Sequence, residues 1–453
     1  MSETKGMVKS MEERSCFREF VKYSSLNVLG MIALSCYILA DTFFVSKALG
    51  SDGLAALNLA IPVYSFIHGS GLMIGMGGGI KYSIVKSQGD GKRADQIFTN
   101  GAVLTAVIAG GFFLLGLFGS GPLARLLGAD GAVYEMTRTY LRVILLFAPM
   151  FMTNNLLLCF IRNDGAPQLS MAAMITGSLS NVVLDYVFMF PFGMGIFGAV
   201  FATGLAPVIS ILVLSPYLIR RKNQFHLRKC RISGHLALGI FSSGLPSLIT
   251  EVSSGIVIIV FNTIILGIAG NIGVAAYGVI ANLSLVVTSI YTGISQGIQP
   301  ILSRSYGTGN RKDMQSILRY ALTAEALVSA VVYLCVFFGA DLIAAVFNSE
   351  NNAVLQDIAV TGLKIYFTAC VFAGFNIIIS VYFTSTENAL PAHIISILRG
   401  FIVIIPMAFI LSAAAELLGV WAAFPATELI VNLIGAGLYL WIRAKAARKQ
   451  GRR

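Results

Sequence analysis

The sequence predicts an all-α integral membrane protein of twelve transmembrane helices, arranged as two parallel six-helix repeats. Three observations predict it. The chain is 56% hydrophobic and only 12% charged, with a mean hydropathy of +0.80, whereas ordinary globular domains carry about 25% charged residues. Apolar runs long enough to cross a bilayer, ~20 residues each, follow one another along almost the whole length. The two halves also match one another: AALNLAIP at 55–62 meets AAYGVIAN at 275–282, and GDGKRADQ at 89–96 meets GTGNRKDMQ at 307–315.

The elements follow in order. Residues 1–22 are polar and charged, and the first apolar segment, 23–48, is too long for a signal-peptide core, so it is expected to remain as a span. It carries Tyr37 and, one turn on, Asp41 in YILADTFFV. A carboxylate at that depth costs at least ~2.5–3.5 kcal/mol and is a functional-site hypothesis by default. The second segment, 53–80, holds His68, read as a hydrogen-bonded packing residue, and GMGGGI at 75–80. Those glycines permit close helix approach; they lack the GK[ST] of a nucleotide loop. The third segment is 97–121. The fourth, 134–161, carries Arg142, Asn154 and Asn155. In the fifth, 166–191, Asn181 and Asp185 stand four apart and share one helix face. The sixth, 194–219, carries Thr203.

A basic linker, 220–236, joins this N-lobe (23–219) to a C-lobe (237–441). The C-lobe segments are 237–268 with Glu251, 274–301, 316–342 with Glu325, 354–384 with Lys364 and Asn376, 392–413, and 417–441 with Glu428. A basic tail, 442–453, closes the chain. Glu325 and Glu428 are read as packing or lumen-lining acids.

The net charge of +11 is topogenic. With the N-terminus inside, 27 of the 32 Lys and Arg residues fall on the inner side, Arg162 and Arg399 among them; Lys47, Arg125, Arg138, Arg142 and Lys364 stay outside. This is the positive-inside pattern and places both termini in the cytoplasm of a plasma (inner) membrane protein. It argues against nucleic-acid binding. The six cysteines are scattered without metal-like spacing and read as small core hydrophobes. No HExxH, GxSxG or phosphate loop is present, so neither an enzyme nor a nucleotide-driven pump is expected.

Each repeat spans six helices, an even number, so the second copy re-enters the membrane in the same orientation and the repeats are parallel. Features shared by both halves read as architecture, such as Arg142 with Lys364, which snorkel to the interface. Features of one half are candidates for chemistry. Asp41 maps onto Phe261, Asn181 onto Ile402, Asp185 onto Pro406 and Thr203 onto Phe424. The acidic cluster is therefore confined to the N-lobe. At ~1.5 Å rise per residue, Asp41 lies ~13 Å from Gly50, Asn181 and Asp185 lie ~15 and ~9 Å from Pro191, and Thr203 lies ~12 Å from Gly195. All four thus stand at similar height in the outer half. Two carboxylates, an amide and a hydroxyl at one level can bind a proton or coordinate Na⁺, since close carboxylates cannot both ionise cheaply.

The stretches DTFFVSKALGSDGLAALNLA, SQGIQPILSRSYGTGNRKDM and NVVLDYVFMFPFGMGIFGAVFAT resemble the multidrug and toxic compound extrusion (MATE) transporters, in particular the DinF-like branch, over essentially the whole chain. The resemblance implies a V-shaped pair of bundles, alternating access, and export of organic, mostly cationic compounds against inward H⁺ or Na⁺. It implies no cofactor besides the coupling ion, and no partner besides small organic cations and the bilayer. It assigns cation coupling to Asp41, Asn181, Asp185 and Thr203. Tyr37, Asn154, Asn155 and Glu251 are the candidate substrate contacts. One departure stands out. The C-lobe cation site of some relatives pairs an acid in the tenth segment with one in the seventh; LKIYFTACVFAGFNIIISVYF has no such acid, and Glu251 lacks that partner. Glu251 lies ~28 Å from the outer end by helix rise, leaving contact with cationic cargo and a hydrogen-bonded place near the inner interface as equal readings.

Two other functions compete. A lipid-linked oligosaccharide flippase must neutralise pyrophosphate and so needs several bases facing the cavity; here the bases are read mostly at the inner rim. A channel or receptor fits neither the tandem repeat nor the absence of a filter-like loop.

Overall fold

The computed structural model describes residues 2–230, 232–348 and 352–450. Eight helices are each long and apolar enough to cross a membrane. Three of them are hairpins in which two spans run on across a sharp break: at Gly50, at Gly270, and at Ala415–Glu416. Val133–Leu146 and Ala148–Asn163 make one further span, bent by 46°. Resolved in this way, the spans number twelve.

We label them α1 (2–49), α2 (51–87), α3 (Gly91–Phe118), α4 (131–163), α5 (Pro167–Met189), α6 (Gly195–Ile219), α7 (234–269), α8 (271–307), α9 (Arg311–Phe347), α10 (353–385), α11 (389–414) and α12 (417–450). The ends differ from the apolar segments because helices outrun the hydrocarbon. Helix α1 already begins at Ser2, within the polar stretch, and α12 runs through the basic tail to Gln450. The start of α1, the end of α12 and the linker between α6 and α7 stand on one side of the molecule, the linker side. The three hairpin breaks stand on the other, the turn side.

Local chemistry repeats with the sequence. The two matching loops cap α3 and α9 in the same way: Asp90 Oδ1 accepts from the Arg93 N–H (3.0 Å) and Asn310 Oδ1 from the Asp313 N–H (3.2 Å). Gly50 (φ 64°) and Gly270 (φ 61°) turn the first hairpin of each lobe in a conformation that glycine adopts without a Cβ clash. Helix α4 breaks at Phe147, just before Pro149, and α10 breaks at the corresponding place, Phe367–Ala369, as a 3₁₀ turn without a proline.

Packing ties the lobes together on the linker side. A Cβ on Gly77 of α2 would lie 2.0 Å from the Ile240 carbonyl oxygen of α7, and one on Gly244 of α7 would lie 1.8 Å from that of Met73. Only glycine lets these backbones touch. The apolar cores do not follow the sequence division at these ends. Cys16, Phe20 and Tyr23 of α1 are buried in a C-lobe core with Ile294, Ile298 and Leu302. Conversely, Ile240 of α7, with Leu245 and Leu248 against it, belongs to the N-lobe core. Each lobe's first helix thus begins its course inside the other lobe.

Candidate functional site

The four predicted cluster residues meet inside the N-lobe. Asp41 comes from α1, Asn181 and Asp185 from one face of α5, and Thr203 from α6; all four are buried, Asn181 and Asp185 completely. With the Asn181 carboxamide turned to satisfy its neighbours, its nitrogen donates to Asp185 Oδ2 (3.1 Å) and its oxygen accepts from the Thr203 N–H (3.2 Å). The Thr203 hydroxyl donates to the Ala199 carbonyl (3.1 Å). Oδ1 of Asp41 and Oδ1 of Asp185 are buried without any hydrogen-bond partner. Orphaned carboxylate oxygens are costly. A proton, or a small cation with a preference for oxygen, satisfies them, and the residues present fit either.

The sequence reading missed one member. Tyr140 of α4, 4% exposed, lies against Thr203 and faces both Asp41 and Asp185. An isolated tyrosine in YLRVILLF carries no signal that separates it from core. The C-lobe puts aromatic rings where the N-lobe has this cluster: Phe261 stacks on Tyr277 (5.6 Å), Tyr277 on Trp421 (6.1 Å), and Phe424 on Tyr366 (4.5 Å).

From the cluster a line of side chains crosses to the other lobe. The Tyr37 hydroxyl meets that of Tyr64 (2.9 Å), the Tyr64 ring stacks on His68 (5.7 Å), and His68 Nδ1 meets Glu251 Oε2 (3.3 Å). Asn155 donates to the His68 carbonyl (3.2 Å). Two expectations gain detail here. His68 is hydrogen-bonded, as the sequence reading has it, and its partner lies in the other lobe, so the contact bridges the lobes. Glu251, which lacks a tenth-segment acid, takes His68 instead and lines the space between the lobes, a third of its side chain exposed. Asn154 lines that space too, its Oδ1 buried and unpartnered.

A cavity of 240 Å³ opens there, with Tyr64 and His68 on one wall and Glu251, Tyr366, Arg399 and Glu428 on the other. The expectation that bases stay mostly at the rim needs correction on this wall and in the adjoining pocket lined by His68, Asn154 and Arg162. Arg399 donates to Glu428 Oε1 (2.5 Å), and Asn376 donates to Glu428 Oε2 (2.8 Å). Arg162, only 1% exposed, donates to Asn27 (2.6 Å) and Gln296 (2.9 Å), with no carboxylate among its partners. Arg162 lies one residue past the fourth segment, and α4 runs on to Asn163 and carries it inside; Arg399 lies within the eleventh segment, where its pairing with Glu428 holds it in the wall. Glu325 is a satisfied packing acid, accepting from Ser329 (2.7 Å), which in turn meets the Tyr291 hydroxyl (2.7 Å).

The chain has extensive relatives. A family model described as MatE matches residues 28–187 and 246–410. The multidrug export protein MepA of Staphylococcus saprophyticus is 26% identical over 417 residues, 91% of each chain. A solved structure described as MATE in complex with MaL6 superposes with a TM-score of 0.89 at 25% identity, covering 95% of this chain and 97% of the other. A MOP superfamily transporter from Pyrococcus furiosus, described as having a binding pocket of reverse polarity, superposes with a TM-score of 0.87 at 25% identity, covering 95% of each chain.

Proposed function

Because this chain belongs to the MatE family, as the match over most of its length establishes, we propose that it is a secondary active exporter of organic, mostly cationic compounds, driven by inward H⁺ or Na⁺. The observation that carries the proposal is the pair of orphaned carboxylate oxygens on Asp41 and Asp185, present in one lobe and replaced by stacked aromatics in the other. In this reading the coupling ion is a substrate. It enters the cluster, neutralises the repulsion between the two carboxylates, and lets α1 and α5 repack. Repacking changes the N-lobe wall of the cavity through Tyr37 and Tyr64. Glu251 and the Asn154 carbonyl oxygen offer the cargo's cationic group acceptors, while Tyr64 and Phe151, edge to face at 5.6 Å, offer aromatic surface. The MepA relative's name supports a broad range of drugs. The linker-side excess of Lys and Arg supports a cytoplasmic linker side, so that export runs towards the turn side.

The test is transport into inverted membrane vesicles with pH and Na⁺ gradients imposed separately. Drug accumulation driven by one of the two gradients, and lost in Asp41→Asn, is the expected result. Accumulation indifferent to both gradients would refute ion coupling. The flippase reading draws on the interior arginines. Glu428 neutralises Arg399, so that, of the two interior arginines, Arg162 alone lacks a carboxylate partner among the described residues, and this speaks against the flippase. Export of ethidium by cells, without translocation of a labelled lipid-linked pyrophosphate, separates the two.

A further inference from the structure

On the linker side the two lobes end differently. In the N-lobe the linker folds back and plugs the bundle. Phe225 is fully buried, its ring 4.6 Å from Phe98, 5.5 Å from Phe160 and 5.9 Å from Tyr82. Beside it Asp164 supplies the anion of a dense network, accepting from Tyr82 (2.6 Å), Lys86 (2.7 Å), Tyr217 (2.7 Å) and the Gln224 N–H (3.0 Å).

The C-lobe has the same cup without the plug or the anion. In the register that pairs Asn154 with Asn376, Phe160 falls on Tyr382 and Asp164 on Thr386, whose hydroxyl is spent on the Tyr382 carbonyl (2.9 Å). The cup is open, 640 Å³ in volume, and Arg311 of α9, Arg443 of α12, Tyr382 and Tyr439 face into it. Both guanidinium charges bear on the Tyr382 hydroxyl. Neither arginine has an ion-pair partner among the described residues. The nearby acids are engaged elsewhere: Glu387 with Lys81 of the other lobe (2.5 Å), and Asp313 with the Asn310 amide (2.7 Å). The cup also stands at headgroup height. Next to Arg443, Trp441 is 60% exposed and carries Lys445 over its ring at 4.9 Å, the aromatic and basic pairing of a membrane–water interface.

We propose that this cup binds the phosphate of an anionic lipid headgroup from the linker-side leaflet, clamped between Arg311 and Arg443. Two unpaired guanidinium groups form a planar donor set suited to phosphate oxygens, and a basic pocket between spans at a bilayer surface is where such a headgroup is held. The lipid would do for the C-lobe what Asp164 and Phe225 do for the N-lobe: supply the missing charge and fill the cup.

The experiment uses the full chain in detergent, with lipid retention counted by native mass spectrometry. Phosphatidylglycerol, phosphatidylcholine and inorganic phosphate are titrated separately. We expect one phosphatidylglycerol per chain, held about tenfold or more tightly than phosphatidylcholine. Arg311→Gln/Arg443→Gln should abolish that preference, and Lys92→Gln, on the linker side of the N-lobe, should leave it intact. Asn388→Asp puts a carboxylate at the rim and should weaken retention independently, so the site stays testable if the double variant fails to fold. An unchanged preference in these variants, or equal retention of phosphatidylcholine, overturns the proposal. Displacement of the lipid by inorganic phosphate at equal concentration would assign the cup to soluble phosphate and overturn the headgroup.

Discussion

Asp41 and Asp185 differ from the other described acids in the membrane region in one respect: each keeps a buried oxygen that none of the described residues satisfies. Glu325 and Glu428 are hydrogen-bonded and Glu251 faces the cavity. This difference orders the expected phenotypes. Asp41→Asn and Asp185→Asn cannot change charge and should reduce gradient-driven efflux by about tenfold or more, since an ion shifts an equilibrium only by its differential affinity for the two states. Removing an unsatisfied buried acid carries little structural cost, so both variants should keep wild-type abundance and melting temperature. Glu251→Gln should reduce efflux less and raise drug KM more. Equal efflux by Asp41→Asn at equal abundance, or loss of coupling in Glu251→Gln alone, would move the coupling site out of the N-lobe. The four cluster residues were legible because polar groups are expensive in lipid, so each one stands out from its segment. Tyr140 was not, because an aromatic ring in an apolar run looks the same whether its hydroxyl is used or not. The His68–Glu251 contact joins residues far apart in the chain, and neither segment hints at the other.

At the scale of elements, the internal repeat made the architecture legible and also exposes where one copy is strained. Gly195, at φ 58°, starts α6; in the register that pairs FGAVFA with LGVWAA its counterpart is Glu416, held at φ 48°, ψ −127° with a side chain attached. That backbone is close to glycine's alone and costs ~1–3 kcal/mol in other residues. Glu416→Gly should therefore stabilise the protein by about 1 kcal/mol, visible as a higher melting temperature in detergent. A lower one would show that Glu416 makes a compensating interaction. The opposite experiment is Gly77→Val. Its Cβ would meet a backbone carbonyl, which no rotamer change relieves, so the linker-side seam should part at a cost of ~1–3 kcal/mol. In a chain whose only cysteine is Cys159, which is 1% exposed near that seam, thiol labelling should accelerate several-fold. Unchanged labelling would mean that the seam does not depend on this contact. Segment ends were the poorest part of the sequence reading. Helices continue past the apolar stretch, and for that reason Arg162, one residue beyond the fourth segment, reads as a rim residue although it is buried.

For the whole molecule, twelve spans and the charge asymmetry require both termini and the linker on one face. Reporters fused after Arg453 and inserted near Arg228 should both be cytoplasmic; one of them outside would overturn the twelve-span topology, and both outside would reverse the proposed direction of transport. If cluster and cavity are coupled through the line from Asp41 to Glu251, drug and coupling ion must weaken one another, typically by ~5–150-fold. Drug affinity in detergent should then fall as pH is lowered, if the ion is H⁺, or as Na⁺ is added, if it is Na⁺. The sign follows because the ion favours the state that binds drug less well. Affinity indifferent to both would separate the cluster from the cargo path.

The exchange of helix starts between lobes bears on how the molecule comes into being. When the first six spans have left the ribosome, the N-lobe still lacks Ile240, Leu245 and Leu248, which complete its core, while Cys16, Phe20 and Tyr23 wait for a bundle that has not yet been synthesised. Neither half is a finished folding unit. A fragment ending at 219 should be cleared by membrane proteases, and co-expression of 220–453 should rescue it, each half acting as the other's chaperone. The same interlock makes assembly a late, single event. Mutations at the start of α1 should therefore be felt as lost abundance of the entire protein, and not as a defect of the lobe in which they are encoded.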